Sequence, residues 1–230
     1  MYLDVPLPLR VSFYVFICVT ISLLLLSPTS AQAYVVELFP PDVRYEPVSV
    51  TGALSDKRTI LGELNNAPHL YEFRIVATST FAVVLYAVDE DDPDPQFAGI
   101  VVRQEPRGGV HEVARLHPAD ADWSLWREPL TRMKYRQGPS YQTELTPGTY
   151  QFEVSTPDND GRYAVTIGTD EVSVGYLTLV RNIYRTQQFH GAHWWALLGT
   201  LPMFIPLAFG GTVGVAYCGV RFARRRGLLK

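Results

Sequence analysis

From Trp194 to Val220 the chain runs 27 residues without a charged side chain, WWALLGTLPMFIPLAFGGTVGVAYCGV, and Arg221, Arg224, Arg225, Arg226 and Lys230 follow at once. About 20 apolar residues suffice to cross the hydrocarbon layer of a bilayer. A core helix with no polar face would need burial on every side, which a chain of this size does not offer. The run therefore reads as a transmembrane helix over residues 194–220. Trp194 and Trp195 match the aromatic belt at one membrane surface, and the basic tail, residues 221–230, matches the cytoplasmic flank at the other. This topology places everything upstream outside the cytoplasm in a single-pass, type I arrangement. Pro202 and Pro206 each remove a helical hydrogen bond and mark a kink or the true start of the helix. Gly210 and Gly214 make one G-x-x-x-G pair, where two helices can approach closely, so a homodimer is one expectation and a plain span the other.

A second apolar run, Val11–Leu26, is only sixteen residues long. Arg10 precedes it, Ser27-Pro28-Thr29-Ser30 break it, and Ala31-Gln32-Ala33 follows. A charged flank, a short apolar run and an A-x-A site describe a secretory signal peptide over residues 1–33, cleaved after Ala33; the alternative is an uncleaved N-terminal anchor.

Charge sorts along the chain in the same sense. Between Tyr34 and His190 lie 22 of the 23 acidic residues and 14 of the 20 basic ones, a net −8, while the last ten residues carry +5. An acidic outer domain excludes nucleic acid as a partner, because phosphate binding needs a basic face. The two cysteines, Cys18 and Cys218, both lie in apolar segments. The outer domain therefore folds without disulfides and has no thiol nucleophile.

The middle of the chain has period two. Tyr71–Ala77 alternates apolar and polar, as a half-buried strand does, whereas Phe81–Val88, FAVVLYAV, reads as a strand buried on both faces. Val48–Leu54, Thr59–Leu64, Ala98–Val102, Val110–Leu116, Tyr141–Leu145, Tyr150–Val154 and Tyr163–Ile167 are further strands. Turn chemistry separates them at Asn65-Asn66-Ala67-Pro68, Pro106-Arg107-Gly108-Gly109, Thr146-Pro147-Gly148 and Asp158-Asn159-Asp160-Gly161. Pro118–Trp126 reads as a short helical turn. Short strands at regular spacing indicate an all-β fold, an antiparallel, jelly-roll-like β-sandwich, over residues 34–170. In residues 171–193, Val174, Leu177, Val180, Ile183 and Tyr184 fall at helical spacing with Arg181 and Arg185 beside them. That pattern reads as an amphipathic helix lying against the membrane surface, with a final strand and linker as the alternative.

Three stretches resemble the bacterial pre-peptidase C-terminal domain, a β-sandwich module of secreted proteins. His69-Leu70-Tyr71-Glu72-Phe73-Arg74-Ile75 is similar to that family's opening strand, and Phe81–Asp94 to its second strand and acidic loop. Pro147–Val154 followed by Asp160–Ile167 is similar to its closing hairpin. The resemblance spans residues 69–168 and departs from the family at Gly99–Gln137. It implies a sandwich with an accessory or binding role and no active site.

Catalytic patterns are lacking in the sequence. His69, His111, His117, His190 and His193 have no zinc-ligand spacing, and there is no nucleophile elbow, phosphate loop or dinucleotide fingerprint. The expectation is a non-enzymatic binding module, with a structural or assembly subunit of a membrane complex as the alternative. Its partners would be the lipid bilayer and a membrane-protein or cell-surface ligand. Two places are candidate binding sites. Asp89, Glu90, Asp91, Asp92 and Asp94 put five carboxylates in six positions, and like charges so close favour a cation. With Asp158 and Asp160 from a second loop, Asp89, Asp91, Asp92 and Asp94 form a candidate calcium set; a solvated turn is the competing reading. Trp123, Trp126 and Arg127 form a candidate ligand-binding edge, for which core packing is the competing reading. Tyr141, Tyr150 and Tyr163 read as core.

Overall fold

The structure is a computed structural model that describes residues 35–39, 45–88, 94–204, 211, 214, 218–219 and 221–222. The expected signal peptide, Asp89–Pro93 of the acidic loop, and most of residues 205–230 lie outside them. Gln32–Leu197 forms one compact unit. Beyond it, residues 201–204 are helical, and among the described residues no helix is long and apolar enough to cross a membrane.

Eleven strands are described: β1 (Val35–Leu38), β2 (Val48–Ser49), β3 (Arg58–Asn65), β4 (His69–Ile75), β5 (Ser79–Ala87), β6 (Ala98–Gln104), β7 (Val110–Leu116), β8 (Ser124–Arg127), β9 (Lys134–Leu145), β10 (Gly148–Ser155) and β11 (Asp160–Ile167). They form a six-stranded sheet, β1-β3-β11-β5-β9-β8, and a five-stranded sheet, β2-β4-β10-β6-β7. The all-β sandwich is thus observed. Its pairing is antiparallel except where β1 joins β3 and β2 joins β4 in parallel. Pro118–Asp120 is a short 3-10 helix.

Two expected strand relations change. Val48–Leu54 shortens to the two residues of β2. The tyrosine-rich strands β10 and β11 do not pair as a hairpin: β10 bonds to β4 and β6, and β11 to β3 and β5. The turn at Asp158–Asp160 is an arch that carries the chain from one sheet to the other. It is pinned by the Thr156 hydroxyl, which accepts from the Asp160 amide at 3.0 Å, and its Asn159 carbonyl accepts from the Asn66 amide in the matching β3–β4 arch.

The principal core lies between the sheets. Phe81, Val83, Leu85, Tyr163, Val165 and Ile167 face Tyr71, Phe73, Tyr150, Phe152 and Val154. The rings of Phe73 and Phe81 stack across the gap at 5.1 Å. The outer face of the five-stranded sheet is polar, with Gln104 and Gln151 both donating to Glu72.

The outer face of the six-stranded sheet is instead apolar, and helix α1 (Tyr176–Phe189) covers it. Leu179 and Ile183 pack onto Val36, Leu61, Tyr86, Val88, Tyr135 and Ala164 in a second cluster. This explains the unbroken apolar run of β5, whose alternate residues enter the two clusters. It also corrects the reading of residues 171–193. A helix is present, but its buried face is Leu179, Asn182, Ile183, Thr186 and Gln187, and it rests on the sheet. Of the residues expected to form its apolar face, Leu177 is 81% exposed and Tyr184 40%. Ile183 and, in part, Val174 of the expected face do pack on the sheet, while Leu177 and Tyr184 turn to solvent, because the apolar sheet face fixes which side of the helix is buried. The folded unit therefore extends past residue 170 to include α1.

Candidate ligand-binding site

Where α1 stops covering the six-stranded sheet, a cavity of about 160 Å³ opens on the same face. Small residues on the inner strands make this hollow. Thr59 on β3 and Ala164 and Thr166 on β11 line it, and the two threonine hydroxyls lie 3.2 Å apart. Large rings stand on the next strands outward: Tyr86 on β5, Tyr135 on β9 and Trp126 on β8. Trp126 and Tyr135 are cross-strand partners. The ring centroids are 5.2 Å apart for Tyr86 and Trp126, and 5.8 Å for each of the other two pairs. The three rings thus form a tight cluster beside a small-residue floor.

The β8–β9 loop closes another side with Glu128, Pro129 and Leu130. Glu128 is only 7% exposed. Its carboxylate accepts a hydrogen bond from the Thr131 amide at 2.5 Å, and its backbone bonds to Met133 and Arg132, which makes the loop a closed turn. Among the described residues no Lys, Arg or His forms an ion pair with it. Exposed Lys57 and Glu171 stand at the rim with offsetting charges. Burial pushes the Tyr86 hydroxyl up to about 12; a hydrogen bond with Thr166 works against this, and the Glu128 charge adds to it. Tyr86 therefore presents a neutral ring across the physiological range.

The structure separates the residues of the expected tryptophan edge. Trp123 is 3% exposed and belongs to the core between the sheets. Its indole N–H donates to the Pro118 carbonyl at 2.9 Å, and its ring occupies the space over Gly138, where a Cβ would lie 2.4 Å away. Trp123 is corrected from ligand edge to core. Trp126 lies on the opposite face of the sheet and lines the cavity. Arg127 is exposed and is not among the lining residues. Tyr150 and Tyr163 are buried and Tyr141 is half-buried against the core. Sequence reading missed Tyr86, Tyr135 and Glu128. Tyr86 is hidden in an apolar run, and Tyr135 lies upstream of Gly138-Pro139, which reads as a strand break. Here Gly138 and Pro139 lie inside β9, opposite the register shift between Val84 and Tyr86.

Of the candidate calcium set, Asp89, Asp91 and Asp92 lie outside the described residues. The strand order brings the flanks of their loop to the end of the sandwich that holds the Asp158–Asp160 arch. The Val88 amide donates to Arg162 O, and the Phe97 ring lies against Gly161. Asp158 and Asp160 line a hollow of about 320 Å³ with Glu63, Gln96 and Arg162. One Asp158 oxygen already accepts from Thr156. Among the described residues no three His, Cys, Asp or Glu are grouped closely enough to hold a metal ion.

No protein-family model matches the chain, and no curated protein matches it. Solved structures similar to it include the pre-peptidase C-terminal domain of a collagenase from Bacillus anthracis, at 10% identity and a TM-score of 0.31 over 59% of this chain and 95% of that one. CBM35 from Cellvibrio japonicus Abf62 matches at 14% identity and 0.25, over 49% and 74%. CorA, a surface-associated copper-binding protein of Methylomicrobium album BG8, matches at 10% and 0.24, over 60% and 99%.

Proposed function

We propose that this chain is a non-enzymatic binding module displayed outside the cytoplasm on a single C-terminal membrane anchor, and that it takes its ligand in the cavity beside Tyr86, Trp126 and Tyr135. The observation that carries the binding reading is the cavity itself. Tyr86 and Tyr135 pack in the cluster beneath α1, and with Trp126 they also line a hollow that has a small-residue floor and a buried carboxylate. Concave apolar sites with a few placed polar groups are where small ligands bind. The lack of any nucleophile, base and orienter arrangement in the sequence supports a role without catalysis. The resemblance of residues 69–168 to an accessory module points the same way. Anchoring rests on the uncharged run from Trp194 and the arginines that follow it.

The test is capture of partners by the full chain from membranes in mild detergent, with the intact protein compared with Trp126→Leu. A soluble or cell-surface ligand that the intact protein retains and the variant loses supports the cavity reading. A stoichiometric membrane-protein partner held equally by both forms overturns it in favour of an assembly subunit.

A further inference from the structure

We propose that the cavity is a cation site, selective for a quaternary or fully methylated ammonium group, with Tyr86, Trp126 and Tyr135 supplying the ring faces and Glu128 the counter-charge. This deepens the binding reading above and rests on it.

Three features of the site select this chemistry. Aromatic rings carry negative potential on their faces and attract a cation placed over them, most strongly where water is excluded. The three ring centroids lie 5.2 to 5.8 Å apart with their planes inclined at 32 to 61°, and all three rings line the cavity, so one compact cation inside it lies beside the aromatic cluster. Two of those rings, Tyr86 and Tyr135, are buried, so they give up little conformational freedom when a guest arrives.

The second feature is charge. A carboxylate as buried as Glu128 is costly to hold unless it is paired or well hydrogen-bonded. The Thr131 amide satisfies part of its acceptor capacity, and among the described residues no cation completes it. The Lys57 and Glu171 charges at the rim offset each other, so Glu128 sets the sign of the site. An anionic guest would meet that charge without compensation.

The third feature is size and hydrogen-bonding demand. A cavity of about 160 Å³ is comparable to one that admits a benzene-sized guest. A primary ammonium or a guanidinium brings three to five N–H donors that each need an acceptor, and the acceptors that line this cavity are few and partly engaged, the Thr59 and Thr166 hydroxyls with each other and the Glu128 carboxylate with the Thr131 amide. A trimethylammonium group brings charge and methyl surface and no donors, so it loses nothing by entering.

The experiment uses the full chain in nanodiscs of phosphatidylethanolamine and phosphatidylglycerol, which contain no choline headgroup. It titrates choline, tetramethylammonium, ethanolamine and 3,3-dimethylbutan-1-ol, the uncharged carbon isostere of choline, by calorimetry. Choline and tetramethylammonium should bind saturably, with the isostere and ethanolamine each weaker by about tenfold or more. Glu128→Gln should narrow the gap between choline and its isostere, and Trp126→Leu should abolish choline binding in a protein whose circular dichroism is unchanged. If the isostere binds as tightly as choline, the site is an apolar pocket without cation selectivity; the cation proposal falls and the cavity reading survives. If choline shows no saturable binding to the intact protein, the ligand class is wrong, whatever the partner-capture comparison shows for the cavity. The comparison of probes on the intact chain stands even if Glu128→Gln disturbs its loop.

Discussion

His69 shows how one buried side chain makes stability depend on pH. Its ring stacks on Phe39 at 3.7 Å, its Nδ1 lies 2.8 Å from the Tyr163 hydroxyl, and that hydroxyl lies 2.6 Å from that of Tyr71. Burial lowers the His69 pKa from 6.5 to about 4 and raises both tyrosines. The folded state thus binds fewer protons than the unfolded chain between those values. The contribution of neutral His69 is complete above pH 6.5 and is lost as pH falls toward 4, by up to about 3 kcal/mol. Thermal melts from pH 7.5 to 4 should show this loss, and His69→Gln should flatten it; an equal slope in the variant assigns the loss to carboxylates instead. Next to this network, a Cβ at Gly62 would come within 2.5 Å of the Tyr163 hydroxyl. Gly62→Ala should therefore cost about 1–3 kcal/mol in chemical denaturation by forcing the network apart. A neutral effect would mean that the tyrosine shifts freely.

At the scale of elements, α1 decides what the six-stranded sheet exposes. Ile183 is fully buried in the cluster beneath it, and Leu177 stands in solvent on the opposite side. Ile183→Ala should destabilise the unit by about 2–5 kcal/mol, and Leu177→Ala should change it by less than about 0.5 kcal/mol, by equilibrium unfolding. The reverse ranking would restore the membrane-facing helix. The β10–β11 arch belongs to the same scale. It brings Asp158 and Asp160 to the end of the sandwich from which the Asp89–Asp94 loop departs. We propose weak calcium binding there, in the millimolar range of extracellular modules. The melting temperature of the full chain should rise in millimolar calcium and less in magnesium. Asp158→Asn with Asp160→Asn should reduce the response, and indifference to calcium in the intact protein would leave a solvated turn.

For the whole molecule, the proposed membrane orientation rests on where the positive charge lies. The cluster Arg224, Arg225 and Arg226 should hold the C-terminus in the cytoplasm. Protease added to intact cells should leave a C-terminal tag in place and digest it only after permeabilisation. Replacing the three arginines with glutamate should lower the fraction correctly inserted. Removal of the tag from intact cells would invert the topology and move the sandwich inside.

The sequence by itself determined the β-strand character of the middle of the chain and the cysteine-free, acidic composition of residues 34–190. Alternation along a strand is a local property, set by side chains that point to opposite faces two residues apart. The two-sided burial of Phe81–Val88 was legible for the same reason. Periodicity does not say which strand lies beside which, and the closing hairpin that the family resemblance implies for β10 and β11 does not form, since they belong to opposite sheets. The pattern Val174, Leu177, Val180, Ile183 and Tyr184 indicated a helix, but only the apolar sheet face could decide which of its residues are buried. The cavity lay furthest from the sequence. Tyr86, Trp126, Tyr135 and Glu128 come from three strands and one loop, and nothing in their spacing along the chain relates them. Hydrogen-bond register placed the rings side by side, and the end of α1's cover left a cavity beside them, because packing is a relation between elements and not a property of any one of them.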